Sequence, residues 1–486
     1  MDQIKKINEI MTGMSRVVMK LEERAIKESS SRDLSITEIH TLDAIGPRDS
    51  RTMSQVAWKL DIQVSTLTTA INKLVKKGYL ERFRIPEDRR IVKLKLTEKG
   101  AGALLEHKTF QENMVKEAIS EMDEDDVNSF VLGIENISRF FAMQQYQPLR
   151  DRSDYHLAPL ELAGNRLAVP LFQGGMGIGV SLGGLAGAVA ACGGLGVVSA
   201  VEPGYREADF EADPLTANLR ALRREIRKAL KTAREAGNGG LVGVNVTASR
   251  EHYGDLVRAS IDAGAQVIVS GGGLPMTLPG FAEQSGRGSG VALIPIVSSA
   301  RAARLIMKNW KKKHDRIPDA FIFESSYAGG YLGYKETQME SGKDEFYRTI
   351  LEIREEIGDI PLIAGGGIMS RKDAMRAYAF GADGLQLGSS FIITEECDAS
   401  EGFKKAYLNL QENDVTIIRN PQGMPCQVIN NEFVKGLDHA ITAEEERAAL
   451  IRAVKGDREH GLFFCGSMAY RMKHAGNVQE VFREFV

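Results

Sequence analysis

Four cysteines are spread over 486 residues, and Cys192, Cys397, Cys426 and Cys465 form no CxxC pair and have no His-rich companion spacing. Neither a metal site nor a disulfide scaffold is expected from that pattern, and a reducing, cytoplasmic setting is. No signal peptide is expected either: MDQIKKINEI carries charge too early and has no apolar run. One stretch imitates a membrane span, because Leu167–Val201 has no charged residue. It holds ten glycines, however, and breaks into strand, turn, small-residue helix and strand. That is the opening of a buried barrel, so no membrane partner is expected. Neither sign of charge dominates, with 62 Lys+Arg against 65 Asp+Glu and a net charge of −3. The average hides a basic island. Arg51–Gly100 holds 12 Lys+Arg and 5 Asp+Glu, a balance of +7 that leaves −10 for the remainder. A polyanion partner is expected for that island alone.

At this length two or three domains are expected. Up to Tyr146 the pattern is helical with one β interruption. Residues 3–28, 34–44, 53–60 and 64–77 read as helices, Leu80–Arg84 and Ile91–Leu96 as strands around Pro86-Glu87-Asp88, and Glu98–Met143 as a long helical region. A polar stretch with two prolines, residues 146–164, reads as a linker. From there the rhythm becomes eight short apolar runs separated mostly by amphipathic helices: LAVPLFQ, GVVSA, LVGVNV, QVIVSGG, ALIPIVSS, AFIFES, PLIAGGG and GLQLGSS. The alternation predicts an α/β (β/α)8 barrel over residues 165–395, with a doubly wound sheet as competitor, and residues 396–486 as a C-terminal extension or cap. The fold class is therefore multidomain: a winged helix-turn-helix over residues 1–145, then a TIM barrel.

Helix, turn, helix and a β-hairpin with a basic loop is the winged helix-turn-helix plan. In VSTLTTAINKLVKK, the expected recognition helix, Leu67, Ile71, Leu74 and Val75 form one apolar stripe, and Ser65, Thr66, Thr68, Thr69, Asn72 and Lys73 face outward. Short hydroxyl and amide side chains there suit base edges and phosphates in a major groove. The loop IPEDRRI adds Arg89 and Arg90, whose guanidinium forks suit phosphates or a narrow minor groove. A small helical domain with a solvated basic face would meet the charge pattern equally well. The run TMSQVAWKLDIQVSTLTTAINKLVKKGYLERFRIPEDRRIVKLKLTEKG decides between them, because it closely resembles the MarR family of winged-helix regulators. It is most similar to the regulators of bacterial fatty-acid synthesis genes. The resemblance implies a homodimer, held by the first and last helices, on double-stranded DNA with a near-palindromic operator. It places Asp88 and Arg90 at the family's wing positions, Asp88 orienting a basic neighbour and Arg90 contacting DNA.

Three glycine-rich segments, the third a pair, fall at predicted C-terminal strand ends, where barrel active sites are built. FQGGMGIG follows the first strand and ESSYAGGYLGY the sixth, while AGGGI and LQLGSS follow the seventh and eighth. Gly366 and Gly367 let backbone amides approach an oxyanion, and Gly388 with Ser389 adds donors at a helix start. Glycines after one strand could serve a turn; glycines after two adjacent strands point to a phosphate site. The motifs PLFQGGMGIGVSLGGLAGAVAACGGLGVVSA, GVNV, VIVSGGGLP, IPIVSSARAA, ESSYAGGYLG, PLIAGGGI and ADGLQLGSSFIITEEC, with GLFFCGSMAYR near the end, resemble the nitronate monooxygenase (2-nitropropane dioxygenase) family and the related flavin-dependent enoyl-acyl carrier protein reductases. The resemblance implies bound FMN. Asn245 and Glu324 would contact the flavin, with Gly329, Gly366, Gly367, Gln386, Gly388 and Ser389 around ring and phosphate, and Gly175 and Met176 under the isoalloxazine. FMN is expected rather than FAD because no separate Rossmann unit with GxGxxG accompanies the motifs. Without the family, Asn245 and Gln386 read as strand-end caps.

One residue departs from the family. Its strand-six motif is AGGHxG, with the histidine as catalytic base or proton donor; here Tyr331 stands in that place. A tyrosine near 10 is a poor base at neutral pH, whereas a histidine near 6.5 is well placed. Tyr331 is the expected catalytic residue, hydrogen-bonding substrate oxygens or donating a proton, and an anionic nitronate needs no base. Elsewhere Cys426 reads as inert filling, Lys311–Lys313 as a solvated helix end, and His439, His460 and His474 as scattered through the extension. Three readings remain: an FMN-dependent nitronate oxidoreductase joined to a DNA-binding dimer; an FMN-dependent enoyl thioester reductase; or a non-catalytic regulator whose barrel senses a ligand or flavin state.

Overall fold

The computed structural model of the chain describes residues 2–46, 50–60, 62–85, 88–144, 146–286, 288–334, 339, 345–472 and 476–486. Two compact units divide it, Met1–Asn136 and Ile137–Val486.

The first unit begins with helices α1 (Asp2–Glu28) and α2 (Ile36–Ile45), then strand β1 (Arg51–Thr52) and helices α3 (Met53–Lys59) and α4 (Val64–Lys76). Strands β2 (Leu80–Ile85) and β3 (Asp88–Leu96) follow, then α5 (Glu98–Ala118) and α6 (Glu124–Gln144), which runs across the boundary. A capping box starts α2: Ser35 accepts from the Glu38 amide, and Glu38 accepts from the Ser35 amide in return. The antiparallel sheet has the order β1-β3-β2, so the two-residue β1, which the sequence did not suggest, edges the wing. Leu67, Ile71 and Leu74 of α4 are fully buried in one cluster with Ile39, Leu42 and Leu94. Val75 departs from the expected stripe and is 37% exposed. At 100° per residue it lies about 80° from Leu67 around the helix, off the buried face. The helical region after the wing is two helices. The side chain of Asp123 accepts from the Asp126 amide at 2.8 Å and starts α6.

The second unit is an eight-stranded closed parallel barrel. A hairpin, β4 (Leu160–Leu162) and β5 (Asn165–Leu167), precedes the first barrel strands β6 (Leu171–Gln173), β7 (Leu195–Ser199), β8 (Leu241–Thr247), β9 (Val267–Gly271) and β10 (Ala292–Val297). The remaining barrel strands are β11 (Phe321–Glu324), β13 (Leu362–Gly365) and β14 (Gly384–Leu387), with a short β12 (Gly330–Tyr331) between. Parallel neighbours need crossovers, and amphipathic helices such as Pro214–Ala236 and Ala300–His314 supply them. Phe172, Val197, Val269, Ile294 and Ile322 fill the interior. Leu162 and Leu167 of the hairpin belong to the same buried cluster and stopper the end where the strands begin. Strands β15 (Val415–Arg419) and β16 (Pro425–Ile429) join β12 in a second sheet, order β12-β16-β15. The C-terminal extension thereby forms part of the barrel's mouth.

Candidate active site

The strand ends open into a cavity of about 220 Å³. Every barrel residue expected to meet flavin or substrate lines it. Gly175 and Met176 come from the loop after β6, Asn245 from β8, and Glu324 from β11. Gly329 and Tyr331 follow that strand; Gly366 and Gly367 follow β13; Gln386, Gly388 and Ser389 come from the end of β14 and the turn beyond. Two glycines are dictated by space. A Cβ on Gly175 would lie 2.2 Å from that of Asn245, whose Nδ2 donates to the Gly175 carbonyl at 3.2 Å. Gly367 has φ +78°, and a Cβ there would meet the Tyr327 ring at 2.9 Å. The loop after β6 is held from the helix beyond it: Asp398 accepts from the amides of Leu182, Gly184 and Leu185, at the start of helix Gly183–Ala191.

Burial pushes the Glu324 carboxyl up to about 7. The sign of the resulting pH dependence follows. Below about 4.5 the carboxyl is protonated in both folded and unfolded chains; between there and about 7 only the folded chain keeps the proton, so stability falls as pH rises and then levels. Each tenfold gain in proton affinity on folding is worth about 1.4 kcal/mol, so the ligand-free chain should lose on the order of 3 kcal/mol through this group. Urea unfolding across that pH range should show the loss, and Glu324→Gln should flatten it; identical pH profiles for the two proteins would contradict the assignment.

Tyr331 sits in a polar triad that no motif announced. Its hydroxyl donates to Glu446 Oε2 at 2.7 Å and accepts from Arg250 Nη2 at 3.2 Å. Arg250 also lies 3.8 Å from both Glu202 and Glu446. Main-chain pairing fixes the tyrosine, because Tyr331 in β12 stands opposite Cys426 in β16, and its ring meets Phe464 edge-on at 5.3 Å. Gln427 steadies the preceding loop by donating to the carbonyls of Ser326 and Ala328, each at 2.7 Å. Burial pushes the Tyr331 hydroxyl well above its usual value. It also raises the Glu446 carboxyl, against the pull of the Tyr331 hydroxyl and the Arg250 charge. Arg250 and Tyr331 face the cavity, while Glu446 is only 4% exposed. The arrangement therefore offers a partly screened cation and a tyrosine whose proton is already committed. Cys426 is buried with its thiol pushed up, as inert filling requires.

In the helical unit Ser65, Thr66, Thr69, Asn72 and Lys73 are exposed along α4, and Thr68 is half-buried. The Thr68 hydroxyl is turned back to the Val64 carbonyl at 2.7 Å, and Asn72 Oδ1 accepts from Arg82 on β2 at 2.8 Å. Arg89 and Arg90 lie on β3, but their side chains, like that of Asp88, fall outside the described residues. Among those residues no helix is long and apolar enough to cross a membrane.

A closed parallel barrel with one glycine-lined cavity at its mouth, preceded by helices and a three-stranded wing, defines a two-part protein of barrel and winged helix. Both parts have known counterparts. Residues 162–486 match the nitronate monooxygenase family, and the chain belongs to it; residues 34–92 match the MarR family. A (3aS,4S,5R,7aS)-5-hydroxy-7a-methyl-1-oxo-octahydro-1H-indene-4-carboxyl-CoA dehydrogenase of Rhodococcus jostii (strain RHA1) is 27% identical over 175 residues, 35% of this chain and 45% of that protein. A probable nitronate monooxygenase of Staphylococcus aureus (strain Newman) is 30% identical over 119 residues, 24% of this chain and 33% of that one. The chain thus spans less than half the length of either relative. The structure of FabK from Thermotoga maritima is similar in fold, with 24% identity over 65% of this chain and 91% of that one and a TM-score of 0.51.

Proposed function

We propose that the barrel is an FMN-dependent oxidoreductase acting on alkyl nitronates, and that the helical unit is a homodimer that binds double-stranded DNA. The observation that carries the enzymatic reading is the meeting of Arg250 and Tyr331 on one wall of the glycine-lined cavity. The residues fit FMN. At Gly388 an added Cβ would meet nothing nearer than Met176 Sδ, 3.7 Å away, so the backbone there is open to a phosphate. Gly366, Gly367, Gly388 and Ser389 would hold that phosphate, Asn245, Glu324, Gly329 and Gln386 the ring's edge, and Gly175 with Met176 its underside. Bound FMN supplies the electron transfer between nitronate and dioxygen. Arg250 meets the substrate's anionic oxygens with charge-assisted hydrogen bonds. Tyr331 holds the guanidinium in place, and its raised value rules it out as a base at neutral pH. The site therefore takes substrate that is already ionised. Oxygen uptake should be faster with preformed propyl-2-nitronate than with neutral 2-nitropropane, and equal rates would sink the reading.

Support for the second half of the proposal lies on two helices. The outward residues of α4 stand in the basic island, where phosphate and base-edge contacts are to be made. On α1 the residues Ile7, Ile10, Met14, Val17 and Leu21 are all exposed, by 41–55%. Their spacing of three and four is a heptad seam with no partner among the described residues of the unit. A second copy of the helix would cover it. Ile10→Glu with Val17→Glu should raise the dimer dissociation constant by about a hundredfold or more, read by light scattering, while leaving helix content unchanged. A double variant that stays dimeric at low micromolar concentration would remove α1 from the interface.

A further inference from the structure

The helical unit also contains a cluster that DNA binding does not use. Glu22 of α1, His40 of α2 and His107 of α5 each present one ligand atom, and the three atoms lie within 4.8 Å of one another. His107 is 7% exposed, and among the described residues neither of its ring nitrogens has a hydrogen-bond partner. Glu22 Oε1 lies 3.8 Å from His107 Nε2 but already accepts from Gln111 Nε2 at 2.7 Å. A neutral imidazole carries one N–H and one lone pair, and burying both unpaired costs stability. Filling space alone would be served better by leucine. His40 is exposed and meets the His107 ring edge-on with centroids 6.4 Å apart, which opens the cluster to solvent.

We propose that Glu22, His40 and His107 form a binding site for a divalent transition-metal cation of the zinc class. Two imidazoles and one carboxylate suit zinc, whereas calcium and magnesium take sets made of oxygen alone. Ligand atoms on one tetrahedral zinc, each about 2.0–2.1 Å from it, stand roughly 3.3 Å apart, so side-chain rotation closes the cluster and water takes the fourth position. Gln111 acts behind the ligands, fixing the Glu22 carboxylate by its hydrogen bond. The cation ties α1, α2 and α5 together, and residues of α2 and α5 share a buried cluster with Leu67, Ile71 and Leu74 of α4. Cysteine spacing could not reveal such a site, because its ligands lie on three helices far apart in sequence. Nothing in the barrel's reading bears on it.

The test uses the full chain, stripped with a chelator and titrated with zinc against a chromogenic competitor. One equivalent should bind per chain within the helical unit, and excess magnesium should not displace it. His40→Ala changes an exposed residue and should leave the fold intact while weakening that equivalent at least tenfold; His107→Gln should do the same. Zinc should raise the thermal midpoint of the native chain but not of His40→Ala. Zinc binding left unchanged in both variants would place the metal elsewhere and overturn the proposal. So would a native chain that takes up no zinc.

Discussion

Arg250→Met is expected to raise KM for a preformed alkyl nitronate about thirtyfold or more, while changing KM for the neutral nitroalkane little. A charge-assisted hydrogen bond to an anion is worth roughly 2 kcal/mol or more, and each 1.4 kcal/mol is a factor of ten. Methionine keeps the unbranched stem and removes the guanidinium with its charge and N–H donors; shape changes equally for both substrates, so the difference between them isolates recognition of the anion. Tyr331 contributes differently. Its hydroxyl stands between Arg250 and Glu446, and removing it in Tyr331→Phe lets the guanidinium, now 3.8 Å from Glu446, close onto that carboxylate. The cation is then spent within the protein, and nitronate KM should rise by about tenfold. Tyr331→His is expected to act in the opposite direction on the neutral substrate. An imidazole near 6.5 can take the α-proton at neutral pH, so nitroalkane turnover should increase while nitronate turnover holds. Steady-state oxygen uptake with both substrates on all three variants decides the matter. Equal KM changes for anionic and neutral substrates in Arg250→Met would show that Arg250 shapes the pocket without binding charge.

The difference between Tyr331 and its two partners shows what the sequence could and could not disclose. Tyr331 was legible because it stands inside AGGYLG, where glycines mark the loop after a strand. The barrel strands were legible for a related reason: a run buried on both faces is continuously apolar, and the helices between keep their 3.6-residue period. Arg250 and Glu446 carry no such mark. Glu446 is the third of three successive glutamates in the first turn of helix Ala443–Lys455, where acidic residues normally face water and the helix dipole. Only tertiary burial singles out one of them. The hairpin β4–β5 did leave a signal, Ala163-Gly164 between Leu162 and Asn165, and both take positive φ, as a tight two-residue hairpin turn requires. It was obscured by the polar, proline-bearing stretch around it. Strand β12 has two residues and exists only because β16 pairs with it, so no local pattern could announce it. Val75 differs for a simpler reason: spacing alone makes the apolar stripe of α4 one residue too wide.

Gly388→Asp is expected to give a colourless protein, where the native chain is expected to be yellow, with one non-covalent FMN. The position separates cofactor binding from folding. Gly388 has φ −109°, a conformation open to any residue, and a Cβ there would point into space bounded only by Met176 Sδ. Aspartate is therefore tolerated by the backbone, yet its carboxylate would occupy the corner proposed for the phosphate dianion. Repulsion between like charges in a partly dry site, added to lost room, should weaken FMN by about a hundredfold or more. Gly388→Ala adds bulk without charge and should weaken it far less. Gly367→Ala is the opposite control. With φ +78° and the Tyr327 ring 2.9 Å from the new Cβ, it should lower thermal stability whether or not flavin is present. Flavin absorbance after gel filtration, together with the unfolding midpoint of each flavin-free protein, distinguishes the two effects. If Gly388→Asp retains one FMN per chain at native affinity, the phosphate lies elsewhere, and the paired glycine segments after β13 and β14 serve only the turns they form.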